Sequence, residues 1–462
     1  MLKYILLISL LAAFGCRKDT RDERAEKPNI IYILADDLGY GDLSCYGQKQ
    51  FQTPNIDKLA ANGMLFTQHY AGSAVCAPSR SVLMTGLHAG HTYVRSNVEY
   101  KKGEEGQYPL ADEAYTIPEM LQSAGYKTGA FGKWGLGMWD TEGNANKQGI
   151  DYFYGYACQR QAHRYYPTHL WENGKKVILE GNDTKQLAQY APDLIHEKTL
   201  DFIRANRSKP FFAYVASVIP HAELLVPKDS IWDQFDGKYP ETPWGFDNTS
   251  GSPYNGNAYG APDYDFGGYN PAEQPHASFA AMVTRLDVQV GEIVELLKEL
   301  DIYDNTLVIF TSDNGPHEAG GGDPDFFKGF GTVRGYKRDL YEGGIRVPMI
   351  ATWPNTIKKG VRSDYVSAFY DVMPTFAELA GVSAPEGIDG LSFAPVFFGN
   401  DPKEKHDYFY WEFPSQGGKQ AVRMGDWKAV RLGLMADANA PIELYDLESD
   451  PQETQRSSRS VS

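Results

Sequence analysis

Hydrophobic positions along this chain come in two alternating rhythms. Unbroken apolar runs stand at residues 28–35 (P-N-I-I-Y-I-L-A), 210–217 (P-F-F-A-Y-V-A-S) and 305–312 (N-T-L-V-I-F-T-S). Runs of this length and β-branched content predict strands buried on both faces. Further strands are predicted at 64–70, at the start of 127–137 and at 349–354. Between them lie helical patterns. In T-P-N-I-D-K-L-A-A-N-G (53–63) Thr53 is the expected cap, Pro54 takes the first helical position and Gly63 ends the helix. T-I-P-E-M-L-Q-S-A-G-Y (116–126) repeats that punctuation, and helices are also predicted at 191–206, 276–300 and 369–381. This alternation predicts an α/β fold: a mainly parallel sheet with helices on both faces. Two stretches break it. Residues 138–190 and 227–275 are rich in Tyr, Gly, Pro, Asp and Asn with little periodicity, which predicts long loops of the functional kind. Their content suits sugar stacking, and equally a surface layer with no ligand. After a Pro- and Gly-rich connection, the segments 408–413, 420–431 and 442–447 alternate in the manner of a small antiparallel C-terminal sheet.

Composition narrows the class. The chain has 462 residues, 42% hydrophobic and 23% charged, which are globular values. The formal net charge is −16. No basic surface for nucleic acid is implied, and an anionic substrate would need a local positive pocket. Residues 1–16 (M-L-K-Y-I-L-L-I-S-L-L-A-A-F-G-C) have signal-peptide form, with an apolar run too short to span a bilayer. Small residues before Cys16 resemble a bacterial lipoprotein cleavage site with Cys16 lipidated; plain secretion is the alternative. The charged segment 17–27 reads as a tether. The expectation is an exported protein, in the periplasm or at the outer membrane or cell surface, held to a membrane by its lipid alone. Of the four cysteines, Cys45 and Cys158 either pair or stay free; spacing does not decide.

Chemistry gathers where the strands stop. Asp36 and Asp37 follow the first buried strand, His221 follows the strand at 210–217, and Asp313 and Asn314 follow the one at 305–312. In open α/β sheets ligands collect at that edge. Adjacent buried carboxylates are costly unless paired or bound to a cation; a turn or helix-cap pair is the plainer reading. In S-A-V-C-A-P-S-R-S-V-L-M-T-G (73–86), Cys76 precedes an apolar helical run, with Arg80 one turn on. A helix start there would favour negative charge on the thiol.

In chain order, Asp36-Asp37, C-A-P-S-R (76–80), G-K-W (132–134), P-H (220–221), S-D-N-G (312–315) and R-G-Y-K-R-D-L-Y-E-G-G-I-R-V-P (334–348) resemble the formylglycine-dependent sulfatases of the alkaline-phosphatase superfamily. The likeness runs from Asn29 to about Asp450. It implies an alkaline-phosphatase-like fold, with a large, mostly parallel sheet flanked by helices and a small antiparallel C-terminal sheet. It divides the chain into the leader 1–16, the tether 17–27, a catalytic domain 28–385 and a C-terminal α+β subdomain 386–462. The implied activity is hydrolysis of sulfate monoesters, on sulfated carbohydrate. Cys76 is then the residue that a formylglycine-generating or anaerobic sulfatase-maturating enzyme oxidises to formylglycine. The hydrated aldehyde offers one hydroxyl to attack sulfur and a second to release it, which neither Ser nor Cys can do. Asp36, Asp37, Asp313 and Asn314, with the modified Cys76, are the implied ligands of Ca²⁺, Mg²⁺ being the lesser alternative. Arg80 braces the centre, Lys133 and Lys337 hold sulfate oxygens, and His221 is the general acid.

Two departures from the family stand out. The family often has His two residues after the G-K-W lysine, where this chain has Gly135; His91, His163, His169, Lys133 or a water are the candidate replacements. Members commonly continue into a further helix where this chain ends in Q-R-S-S-R-S-V-S, which points to a truncated C-terminal subdomain. The loop 159–171 (Q-R-Q-A-H-R-Y-Y-P-T-H-L-W) supplies candidate sugar contacts in Arg160, His163, Arg164 and His169, with His91 beside them. The competing readings are a phosphonate or phosphodiester hydrolase of the same superfamily and a non-catalytic glycan-binding lipoprotein.

Overall fold

The computed structural model describes residues 27–101, 103–246 and 257–457. Cys16 and the leader lie outside the described residues. Eleven strands form the main sheet: β1 (Asn29–Ala35), β2 (Met64–Tyr70), β3 (Lys127–Lys133), β4 (Tyr152–Tyr156), β5 (His169–Glu172), β6 (Lys175–Ile178), β7 (Phe211–Ala216), β8 (Thr306–Ser312), β9 (Arg346–Thr352), β10 (Val361–Ser363) and β11 (Ser367–Ala368). Their spatial order is β10-β2-β9-β8-β1-β7-β3-β4-β5-β6, with β11 also on β2. The centre is parallel: β1 pairs with β7 and β8, and β7 with β3. β9 runs antiparallel between β8 and β2.

Strand β1 explains why both faces are covered. Ile30, Tyr32 and Leu34 point into one apolar cluster, Ile31, Ile33 and Ala35 into another. Helices α2 (Cys76–Thr85) and α3 (Ile117–Ser123), and a later helix Val372–Ala380, contribute to the first. Helices α1 (Pro54–Ala61), α4 (Ala191–Asn206) and α5 (Pro275–Glu299) contribute to the second. Each fully buried Ile or Leu contributes about 1.5–3 kcal/mol, so a strand apolar on both sides is locked at the middle of the sheet.

Three local expectations change. Thr53 precedes α1, but its hydroxyl meets Ser44 and Asp57 rather than the helix backbone. The first-turn N–H groups of Asn55 and Ile56 donate instead to Asp287 of α5, at 2.9 and 2.8 Å. The stretch 138–190 is not one long loop, because β4, β5 and β6 widen the sheet there. The turn between β5 and β6 is Asn173-Gly174, with φ of 45° and 81°, the pair that a tight hairpin favours. The segment 420–431 is two strands, not one. The C-terminal sheet comprises β12 (Phe409–Phe413), β13 (Lys419–Met424), β14 (Trp427–Leu432) and β15 (Ile442–Asp446), all antiparallel. Buried Lys428 fastens it to the main domain, with Nζ 2.8 Å from Glu342 and 3.0 Å from Glu453.

Candidate active site

Register brings the predicted residues together. Ala35 of β1 is level with Ser312 of β8, and Leu34 with Ala216 of β7. The residues that follow each strand therefore emerge on one edge: Asp36 and Asp37, Asp313 and Asn314, and His221. Lys133 closes β3 on the same edge. Asp37 has φ of 63°, left-handed backbone that a non-glycine residue seldom adopts. Neighbours hold it there: its N–H donates to Asp313 Oδ1 at 3.1 Å and its Oδ1 accepts from Asn314 Nδ2 at 2.7 Å.

Helix α2 begins at Cys76 and is buried along its whole length. Cys76 Sγ lies 3.3 Å from Asp36 Oδ1, 3.7 Å from Asp37 Oδ1 and 3.4 Å from Lys337 Nζ. Arg80, one turn on, donates from Nε and Nη2 to Asp313 Oδ2 at 3.0 and 2.9 Å, and from Nη1 to the Lys133 carbonyl at 2.6 Å. Lys133 Nζ sits 2.7 Å from Asp36 Oδ2, and Lys337 Nζ 2.7 Å from Asp37 Oδ2. His221 Nδ1 donates to the Ala222 carbonyl, which leaves Nε2 facing Asp37 Oδ2 at 3.4 Å.

Burial alone would raise both aspartates; Lys133 beside Asp36 and Lys337 beside Asp37 outweigh it and hold both below the ordinary carboxylate range. The thiol goes the other way from the expectation. Although Cys76 starts a helix, burial, then Asp313 and Asp36, push its pKa well up. It stays a thiol, which makes it a poor nucleophile in this form.

Asp36, Asp37, Cys76 and His221 bring ligand atoms within 4.8 Å of one another. Asn314 Oδ1 is buried with no hydrogen-bond partner among the described residues. A buried carbonyl oxygen without a partner beside three carboxylates is a donor set for a hard cation, so the residues fit Ca²⁺ or Mg²⁺.

The candidate sugar contacts fare unevenly. His163 is brought into the site, its ring stacked on His221 at 4.9 Å and 12°. Arg160 lies nearby but is engaged by Glu99 at 2.9 Å and Asp265 at 3.0 Å, over the Phe266 ring. Arg164 is structural instead. It is fully buried, paired with Glu223 at 2.9 Å, and donates to the carbonyls of Asn257 and Asp265 at 2.8 and 2.7 Å. His169 pairs with Glu105 at 3.2 Å. His91 pairs with Asp389 at 3.0 Å beyond the far end of α2, a helix about 15 Å long from Cys76 at the usual rise. Cys45 and Cys158 are both free. His317 went unread in the sequence: its ring lies 5.7 Å from that of His221 and its Nε2 bonds the Pro220 carbonyl at 3.1 Å. Its place three residues after Asn314 was the available signal.

Comparison with known proteins settles the family. A family model described as Sulfatase matches residues 28–382, and one described as N-sulphoglucosamine sulphohydrolase, C-terminal, matches residues 334–460. The chain belongs to the sulfatase family. This sulfatase is a sulfuric ester hydrolase with the alkaline-phosphatase-like fold. It is 31% identical to arylsulfatase A of Homo sapiens, over 93% of this chain and 83% of that protein. It is 26% identical to an N-acetylglucosamine-6-O-sulfatase of Bacteroides thetaiotaomicron, over 97% and 86% of the two chains. Among solved structures, Ps i-CgsB superposes with a TM-score of 0.75 at 30% identity, covering 94% of this chain and 89% of that one.

Proposed function

We propose that this sulfatase removes sulfate from glycans, at a centre built on Cys76 as the precursor of formylglycine and on a bound divalent cation, Ca²⁺ before Mg²⁺. The observation that carries the reading is the position of Cys76: first residue of a buried helix, in contact with Asp36, Asp37 and Lys337. Asp36, Asp37, Asp313 and Asn314 would hold the cation, which supplies charge neutralisation and activates an oxygen nucleophile. Formylglycine at 76 would supply that oxygen. The chain's own side chains do the rest. Arg80 fixes Asp313 and the end of β3. Lys337 is within reach of the reacting position and Lys133 stands across Asp36, so both can take oxygens of an anionic ester. His221 would serve as the proton donor to the leaving alcohol in its imidazolium form, with Nδ1 held by the Ala222 carbonyl and the Nε2 proton facing the cluster.

Glycan substrates are supported by the relatives. N-acetylgalactosamine-6-O-sulfatase of Bacteroides thetaiotaomicron is 29% identical over 97% of this chain. Ps i-CgsB, 30% identical, has been solved with k-i-k-neocarrahexaose. The leader supports export and lipid attachment at Cys16. The test is sulfate release from a panel of sulfated mono- and disaccharides by protein made with a maturating enzyme, alongside mass spectrometry of the peptide ending at Arg80. The expected result is aldehyde at position 76, release from at least one sugar, loss of release in Cys76→Ala, and loss on chelation that Ca²⁺ reverses. Active protein carrying only unmodified Cys76 would refute the formylglycine reading.

A further inference from the structure

Position 135 is glycine, and the space a side chain would take there is already filled. A Cβ on Gly135 would lie 2.2 Å from Nε2, 2.6 Å from Cδ and 2.8 Å from Cγ of Gln159. Gly135 has φ of 71°, so any side chain there would be strained as well as crowded. Both segments are clamped in register: Gly135 N–H donates to the Ala157 carbonyl at 3.1 Å, and Gln159 N–H to Gln107 Oε1 at 3.1 Å. The Gln159 side chain differs. The residue is 3% exposed, yet neither Nε2 nor Oε1 has a hydrogen-bond partner among the described residues. Buried amides are nearly always paired, so one with both ends open is built to meet something else.

Its place says what that is. Lys133 of β3 is level with Tyr156 of β4. Gly135 lies two residues beyond the one, Gln159 three beyond the other. The amide therefore stands over the same sheet edge as the catalytic cluster, beside the loop of the lysine that touches Asp36. Two residues after the start of the 3-10 turn Gln161–His163, which follows Gln159, comes the imidazole stacked on His221.

We infer that Gln159 is a substrate-contacting residue of this sulfatase. Its NH₂ donates to an oxygen of the sulfate ester, and its Oε1 accepts from a sugar hydroxyl. The inference rests on the proposed function of the Cys76 centre. An amide neither gains nor loses a proton near neutral pH. Gln159 thus holds the substrate and transfers no proton.

The test compares the mature wild type with Gln159→Met, which keeps the length and removes the amide, and Gln159→Glu, which places a carboxylate there. The probes are inorganic sulfate, by calorimetric titration, and 4-nitrophenyl sulfate, by hydrolysis. Gln159→Met is expected to bind sulfate at least tenfold more weakly and to lose at least tenfold in kcat/KM. Its thermal midpoint should be unchanged or raised and its pH profile unchanged in shape. Gln159→Glu should lose at least 100-fold in sulfate affinity. Unchanged sulfate affinity and kcat/KM in Gln159→Met would overturn the inference, leaving the amide as filler. Should that variant fail to fold, Gln159→Asn draws the amide back by one methylene, and sulfate affinity equal to wild type would be equally fatal. A wild type that neither binds sulfate nor hydrolyses 4-nitrophenyl sulfate would sink the reading of the centre itself, a different result.

Discussion

Arg164 separates a residue that binds sugar from one that builds the wall of the site. Its sequence context, a basic and aromatic loop, suggests the first; its environment indicates the second. Arg164 and Glu223 are both fully buried and 2.9 Å apart. Glu223 also accepts from the backbone N–H of Tyr165 at 3.0 Å and of Asn270 at 2.8 Å, and from the Tyr259 hydroxyl at 2.8 Å. This one ion pair ties the segment carrying His163 to the segment after His221 and to the loop around 257–270. Replacing Arg164 by Met removes one partner of a buried pair and leaves the Glu223 carboxylate short of its charged donor, a loss of about 3–5 kcal/mol. It also strips the Asn257 and Asp265 carbonyls of a donor, which favours the upper end. With a urea m-value of about 3 kcal/mol/M, the midpoint should fall by roughly 1–1.7 M. Glu223→Gln should cost a similar amount, and the double variant markedly less than the sum, because the second change removes a charge the first left unpaired. The assay is urea unfolding followed by tryptophan fluorescence, with KM and kcat measured in parallel. Activity should fall mainly in kcat, since a displacement of about 1 Å at catalytic groups costs on the order of 100-fold. An Arg164→Met protein with the wild-type urea midpoint and a raised KM would refute this reasoning and restore Arg164 as a sugar contact.

Two further predictions concern protons and maturation. His69 on β2 is fully buried; its Nδ1 meets Ser367 Oγ at 2.9 Å, and burial lowers its pKa to about 3. A pKa depressed on folding stabilises the protein above the unfolded value of about 6.5 and loses that contribution as pH falls toward 3, which amounts to about 2 kcal/mol by pH 5. His69→Gln should therefore lose less stability than wild type between pH 7 and pH 5, read as urea midpoints; parallel losses would remove His69 as the cause. Cys76–Thr85 is buried throughout, so a maturating enzyme should convert urea-unfolded chain or a peptide spanning the motif but not folded protein. Mass spectrometry showing equal aldehyde yield from folded and unfolded samples would contradict that order of events.

The residues that gather at the sheet edge were legible because a strand buried on both faces has to stop, and what stops it shows. Asp36, His221 and Asp313 each end an apolar run, and parallel pairing in register then forces them onto one edge. The loops carry no such rule. Their buried polar groups are satisfied by partners far along the chain: Arg164 by Asn257, 93 residues on, and by Glu223, 59 residues on. Nothing in spacing marks such a pair, so composition alone casts Arg164, His169 and His91 as surface residues able to touch sugar. The hairpin at Asn173-Gly174 was a readable exception, obscured by the surrounding Tyr and Gly. The Thr53 cap shows the same limit from the other side: the local signal placed the helix start correctly, while the groups that satisfy it came from Asp287 on a distant helix.

The charges of the site also refine what an acidic protein must do to bind an anion. With a net charge of −16, a local positive pocket was the expectation, and Arg80, Lys133 and Lys337 do converge. Each, however, is in contact with a carboxylate: Arg80 with Asp313, Lys133 with Asp36 and Lys337 with Asp37. The formal charges of these six side chains cancel. A monoanionic sulfate ester therefore meets a cluster with no net formal charge, rather than the plainly positive pocket that composition suggested. The paired lysines and arginine then have a second purpose. They keep Asp36 and Asp37 ionised inside a buried cluster, at a place where desolvation would otherwise protonate them.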